Sequence, residues 1–459
     1  MDQGFARLLD ATFCFFCCVL LTITLAPQLL TYRSQARVED CRHHLRLLGL
    51  AMHNYHAAYN QLPLGCGGTF GGATEADSNQ GRLGPFIGVL PFAEEQGLWE
   101  VISNPYVSQK TGKRFPAMGP VPWYDPTEYV PWLQGPMIYR CPDAATTADQ
   151  QTGAARIVFT LQDDAGLSTM ANYVACYGDG TFAVGALVDP ESEEDMERSS
   201  ATNRGAFSAG VKTTFRDFLD GTANTLLFSE TLSSLKGEPR TSGIAKDIVG
   251  LSLDPSLCLK AGLSRTVAWN PIGRGSRWSD GALPVTGFQA VLPPNSPSCS
   301  SDLGPLDAIC SASSAHAGGV HVLIADGAVR FVSDTIHTGD LTSPGVAIDA
   351  GYTKPGSVSP YGLWGALGTR ASIETINDNE LESSMTNFKT DAKDFSKRRQ
   401  AFTPWKDKTS TITLTAKFLR LIDRETVELE DTGGTIHRVP LNSLSAEGIY
   451  NAVEQASAK

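Results

Sequence analysis

The chain has 459 residues, enough for about two or three domains, and its 42% hydrophobic content supports a real core. A formal net charge of -12 excludes a nucleic-acid partner, which would need a basic face. The 44 glycines and 26 prolines suit a loop-rich, β-containing head.

The first element is an apolar run, Ala11 to Leu30, with no charged side chain and a break at Pro27. A run of about 20 apolar residues spans a bilayer as a helix. Residues 1–40 are therefore expected to be a short leader and a transmembrane helix. Cys14, Cys17 and Cys18 lie inside this run and read as small packing residues rather than zinc ligands. From Arg42 to Ala58 a helical period follows, with Leu45, Leu48, Met52 and Tyr55 three and four residues apart. His53 and His56 have the spacing of a metal pair, but polar tips on a packed helix are the better reading.

Farther along, Pro85 to Trp99 reads as a strand or turn and a short helix. Gly119 to Trp132, rich in proline and tryptophan, reads as a surface insertion. Leu226-Leu227-Phe228 reads as a buried strand after the Asp220-Gly221 turn. Val320 to Val332 is two β-rich runs meeting at Asp326-Gly327, a hairpin signal in which both turn residues favour positive φ. An extended strand rises about 3.3 Å per residue. His316, ahead of Gly318-Gly319, is thus held away from Asp326, and the spacing does not imply a catalytic pair.

Seven cysteines follow the apolar run: Cys41, Cys66, Cys141, Cys176, Cys258, Cys299 and Cys310. None shows paired metal-ligand spacing, and an oxidising compartment would bridge some of them. Cys299 and Cys310, across a short polar loop, are the disulfide candidates, and Cys41 is expected to stay free. Asp179, Asp220, Asp280 and Asp326 each precede a glycine, as in calcium-binding turns, but no repeated ligand spacing appears. No cofactor or metal is expected. After Arg370 the composition turns polar: residues 371–400 read as a linker, and residues 401–459 as a small unit with strands at Thr411–Leu419, Val427–Leu429 and Ile436–Leu441.

Several blocks occur in a familiar order: Pro27 to Cys41, Gly49-Leu50-Ala51-Met52-His53-Asn54-Tyr55-His56, Tyr139-Arg140-Cys141-Pro142, Asn172-Tyr173-Val174, Asp220-Gly221 with Glu230, then His316, nine residues, and Asp326-Gly327. Together with Ser359 to Arg370 they resemble the bacterial prepilin-like domain-of-unknown-function family that carries a late H-x9-DG motif. The resemblance implies an α+β fold: a pilin-like long N-terminal transmembrane helix packed on an antiparallel β-sheet head over residues 41–370. It also implies prepilin-type processing between Gly4 and Phe5, although Leu9 stands where pilins carry a glutamate. Trp405, the Gly433-Gly434 turn and Val439-Pro440-Leu441 with Leu444-Ser445 resemble the first Sla homology domain, a small SH3-like β-barrel that takes short peptides.

Charge points the other way on topology. Arg33, Arg37, Arg42 and Arg46 follow the apolar run, which alone would place the head in the cytoplasm. The family resemblance places it on the periplasmic side of the inner membrane, and the dispersed cysteines agree. There is no G-x-S-x-G, H-E-x-x-H or G-x-x-x-x-G-K-[ST]. The expected function is a membrane-anchored pilin- or pseudopilin-like structural or interaction protein of the cell envelope, without enzymatic activity. Its partners would be the membrane, other pilin-like subunits or envelope proteins, and a short peptide at the C-terminal barrel. The competing readings are an exported, tethered hydrolase or carbohydrate-binding protein using Asp217, Asp220 and Glu230, and a cytoplasm-facing adaptor.

Overall fold

The apolar spacing after Cys41 builds a one-sided helix. Residues 35–59 are α-helical (α1) and bury Val38, Cys41, Leu45, Leu48, Ala51 and Met52 along a single stripe. The computed structural model describes residues 35–144, 170–185, 192–233, 242–262, 267–270, 272–302, 304–374, 384–386, 403–406, 413–422, 426–431, 435–440 and 443–444.

The strands in chain order are β1 (Tyr106–Val107), β2 (Arg114–Phe115), β3 (Tyr173–Cys176), β4 (Leu226–Glu230), β5 (Ile244–Ile248), β6 (Gly287–Phe288), β7 (Ser298–Ser301), β8 (Gly304–Ile309), β9 (Gly319–Ile324) and β10 (Val329–Ser333). Then come β11 (Met385–Thr386), β12 (Thr403–Lys406), β13 (Thr413–Ile422), β14 (Thr426–Asp431) and β15 (Ile436–Pro440). The central sheet has six strands in the order β11-β10-β9-β4-β3-β6. Its pairs are antiparallel except β3 with β6.

Both faces of this sheet are covered, so its strands read as continuous apolar runs rather than alternating ones. Tyr173, Ala175, Phe228 and Leu323 face the core shared with α1. Val174, Cys176, Leu226, Val320, Val322 and Ile324 face a second core capped by Trp364 and Leu367 of the helix Gly362–Gly368. A register shift between Leu226 and Phe228 turns β4 over. It lets Leu226 join one core and Phe228 the other. At Gly49 the helix lies flush on β9, where a Cβ would come within 2.9 Å of Leu323 Cδ1.

A three-stranded sheet, β5-β7-β8, packs a separate core. The C-terminal strands form a four-stranded antiparallel meander, β12-β13-β14-β15, with Ala416, Val427 and Leu429 buried.

Two expectations need correction. The N-terminal helix described here is not a transmembrane one: α1 carries Arg37, Glu39, Asp40, Arg42 and Arg46, and no helix among the described residues is long and apolar enough to cross a membrane. The run Ala11–Leu30 and the Gly4–Phe5 processing site lie outside the described residues. The sheets are antiparallel and mixed rather than purely antiparallel, since β3 with β6 and β5 with β7 run parallel. The strands expected at Thr411–Leu419, Val427–Leu429 and Ile436–Leu441 overlap β13, β14 and β15 of the C-terminal meander.

The segment Gly119 to Trp132 is no surface insertion either. Val121, Tyr129 and Trp132 are buried, with Tyr129 edge-on to Trp132 at 4.9 Å and Trp132 against Trp278 at 6.2 Å. Trp132 donates its indole N–H to the Val121 carbonyl at 3.2 Å, which satisfies the polar end of a buried ring.

Candidate functional site

The pleat of β4 and β9 decides what lies under α1. Glu230 shares its face with Phe228, and His321 shares its face with Leu323. Alternation therefore turns both polar side chains toward the helix-covered core. His316 sits just before β9, where Gly318 at φ +85° and Gly319 carry the chain into the strand. All three side chains are buried; that of His316 is 0% exposed.

They form one network. His316 Nε2 lies 3.0 Å from Glu230 Oε1. Glu230 Oε2 accepts the His321 backbone N–H at 2.8 Å and lies 3.3 Å from His321 Nδ1. On the other side of the ring, His316 Nδ1 is 3.2 Å from Asp143 Oδ2, an ion-pair contact rather than an aligned hydrogen bond. Asp143 Oδ1 accepts from Arg37 Nε of α1 at 2.8 Å. Above the cluster, Cys41 of α1 is bonded to Cys141, and Cys141 Sγ is 3.8 Å from His316 Nε2.

Mutual charge governs the protonation of this cluster. Burial pulls the His316 imidazole toward neutrality, but Glu230 and Asp143 overcome that and push it up to about 10. Burial likewise works against the Glu230 carboxylate, yet His316 and His321 hold it well below the ordinary carboxylate range. Contact with His316, and then with Arg37, keeps Asp143 low against the opposing effect of burial. The cluster is thus a salt-bridge chain, exposed at Arg37 of α1 and buried at Glu230 of β4 and at His316 and His321, before and in β9.

A family model described as "Protein of unknown function (DUF1559)" matches residues 31–339, which is more than half of the chain and contains every member of this cluster. The chain belongs to the DUF1559 family. No curated protein matches it, and no solved structure does.

In this DUF1559 member the residues of the H-x9-DG pattern do not meet. Asp326 is exposed at the far end of β9 and accepts the Ala328 backbone N–H at 2.8 Å. Gly327 donates to the Ile324 carbonyl at 2.9 Å and has φ +90°. Only the glycine takes positive φ. The loop is a three-residue hairpin with glycine at the bulge position, not a two-residue turn with both residues left-handed.

The disulfide expectation also fails. Cys299 bonds to Cys258, and Cys310 is a buried free thiol. The pleat explains this. Cys299 pairs across the ladder with Ile309, so the next residue, Cys310, turns to the opposite face and joins the other core. Cys41 was expected to be free and is bridged, because the Tyr139–Pro142 turn folds onto α1, where Arg140 O meets His44 Nδ1 at 2.8 Å.

The remaining candidates are engaged singly. His53 and His56 flank the Phe215 ring at 4.8 and 4.4 Å. Asp217 closes a capping box with Thr214. Asp220 accepts the Ser372 backbone N–H at 2.9 Å. Asp179 is buried 3.2 Å from Arg204 Nε, and Asp280 is buried 2.8 Å from Arg82 Nη2. The Asp-Gly carboxylates thus serve four separate local roles. Asp217 and Asp220 precede β4 whereas Glu230 ends it, and each has its own partners. An open cleft of about 480 Å³ is lined by Glu197, Arg204, Ser357, Arg370 and Ser372, among others, and by no member of the buried cluster. Its arginines donate to the backbone, Arg204 to Ser357 O at 2.8 Å and Arg370 to Asn203 O at 2.6 Å.

Sequence reasoning missed Asp143, His321 and Arg37. For His321 there was a signal: one polar residue inside the apolar run Val320 to Ile324, in a strand buried on both faces. Such a residue needs a buried partner.

Proposed function

We propose that this DUF1559 member is a structural or interaction protein of the cell envelope, with a pilin-like head on the extracytoplasmic side and no enzymatic activity of its own. The observation that carries this reading is the use made of His316. The histidine singled out by the H-x9-DG pattern is buried in a salt-bridge chain beneath a disulfide and joins the loop before β9 to α1 through Asp143 and Arg37. Such an arrangement locks a helix onto a sheet, the task a pilin-like head has to perform. Two disulfides support an oxidising compartment. The partners under this reading are other pilin-like subunits or envelope proteins. The C-terminal meander, by its resemblance to the first Sla homology domain, would present an edge to a short peptide.

The test uses native protein from cells, alkylated before lysis, and analysed for thiol state and N-terminus by mass spectrometry. Cys41 and Cys141 blocked as a disulfide, with a mature start at Phe5, are the expected results. Alkylated Cys41 and Cys141 would overturn the extracytoplasmic placement. A start at Met1 would overturn pilin-type processing.

A further inference from the structure

The disulfide and the salt-bridge chain lie together, which gives them a chemistry that neither has alone. One ligand atom from each of Cys41, Cys141, Glu230 and His316 falls within 4.8 Å of the others, and all four residues are buried. We propose that reduction of the Cys41–Cys141 disulfide converts this cluster into a four-coordinate site for a zinc-class divalent cation, bound by both thiolates, His316 Nε2 and one Glu230 oxygen.

The donor set is that of a closed structural zinc site, with sulfur, nitrogen and carboxylate oxygen around one centre. Tetrahedral zinc with bonds of about 2.0–2.3 Å sets neighbouring ligand atoms about 3.3–3.8 Å apart. The distances already present are close to this: His316 Nε2 to Glu230 Oε1 is 3.0 Å, and Cys141 Sγ to His316 Nε2 is 3.8 Å. The two sulfurs must separate, which reduction allows, and the remaining ligand pairs start within 4.8 Å of one another.

The outer shell is also in place. A histidine that ligates a metal presents its other ring nitrogen to a carboxylate, which fixes the ring and its tautomer. Asp143 Oδ2 stands 3.2 Å from His316 Nδ1, and Arg37 holds Asp143 in turn. The second Glu230 oxygen is held by the His321 backbone N–H. A disulfide alone does not call for this arrangement.

The conversion balances. A dithiol reductant supplies two electrons and two protons and becomes a disulfide itself, while Cys41 and Cys141 become thiols. The incoming cation displaces both thiol protons and the Nε2 proton of His316 to solvent. Glu230 is already ionised. Cys66, Cys176 and Cys310 are buried thiols that belong to no such ligand cluster among the described residues.

The experiment takes the full chain, reduces it, removes the reductant under inert gas and adds zinc alone. Bound zinc is counted against a chromophoric chelator, and the cysteines are then alkylated and mapped. The expected result is one zinc per chain, with Cys41 and Cys141 protected at least tenfold while Cys258 and Cys299 react. Cobalt in place of zinc should show thiolate charge-transfer absorption. His316→Gln and Glu230→Gln should each weaken zinc binding at least tenfold, and the oxidised chain should bind none at the site. No binding by the reduced chain, or binding that protects other cysteines, overturns the proposal. The alkylation map needs no variant, so a substitution that fails to fold leaves the test intact.

Discussion

His316 Nε2 and Glu230 Oε1 lie 3.0 Å apart with both side chains buried, and they are 86 residues apart in the chain. A pair so far from water is held by its partner, because removing one member strands the other charge. Breaking such a pair costs about 3–5 kcal/mol. Glu230→Gln and His316→Gln should each lower stability by that amount in the disulfide-bonded protein, read from urea midpoints at neutral pH. The double variant should lose less than the sum of the two by about 1 kcal/mol or more. Strict additivity would mean that the two side chains do not act as a pair.

The same pair sets a pH window. His316 is raised from an ordinary 6.5 to about 10 in the folded protein. Its contribution is fully present below about 6.5 and is lost as pH rises toward 10. Glu230 and Asp143 are lowered from 4.5 and 3.8. Their contributions are present above those values and are lost as pH falls through the depressed ones. Stability from this cluster is therefore greatest between about 4.5 and 6.5. Melting temperature against pH should fall on both sides, and in His316→Gln the alkaline limb should flatten relative to wild type. An unchanged alkaline limb would show that His316 is not the group being titrated.

Elements whose cause is local were legible in the sequence; those whose cause is a distant partner were not. The spacing of Leu45, Leu48 and Met52 placed the buried stripe of α1, and all three are buried. Asp326-Gly327 located the β9–β10 hairpin, although not its loop type. The turn over Gly119 to Trp132 looked exposed because prolines usually lie outside, yet its aromatic rings fill a core with Trp278, which is distant in sequence. Disulfide pairing could not be read by proximity, because strand pleat decides which cysteine faces which core. The candidate site itself joins residues 37, 143, 230, 316 and 321, and only the folded sheet brings them to one face.

The two disulfides should differ in worth. Cys41–Cys141 spans 100 residues and Cys258–Cys299 spans 41. The chain-entropy relation gives about 4.7 and about 3.9 kcal/mol respectively. Paired serine substitutions should follow this order, with a wider gap because the first bridge also roofs the salt-bridge chain. Peptide mapping of the oxidised protein should recover Cys258 linked to Cys299 and leave Cys310 as a thiol. Recovery of a Cys299–Cys310 peptide would contradict the β7–β8 register.

The two ends of the H-x9-DG pattern should prove energetically independent. Asp326 is exposed and supports one backbone N–H, so Asp326→Ala should cost about 0.5–1 kcal/mol. Gly327 at φ +90° occupies a region that a β-branched residue strongly disfavours. Gly327→Val should cost about 2 kcal/mol or more, chiefly by distorting the hairpin. Strand β9 separates this turn from His316, and among the described residues no hydrogen bond or ion pair joins the two. Combining Gly327→Val with His316→Gln should therefore add within about 0.5 kcal/mol. A coupling above 1 kcal/mol would mean that the turn and the buried histidine communicate through the strand, and the pattern would then have to be read as one device rather than two structural positions on one hairpin.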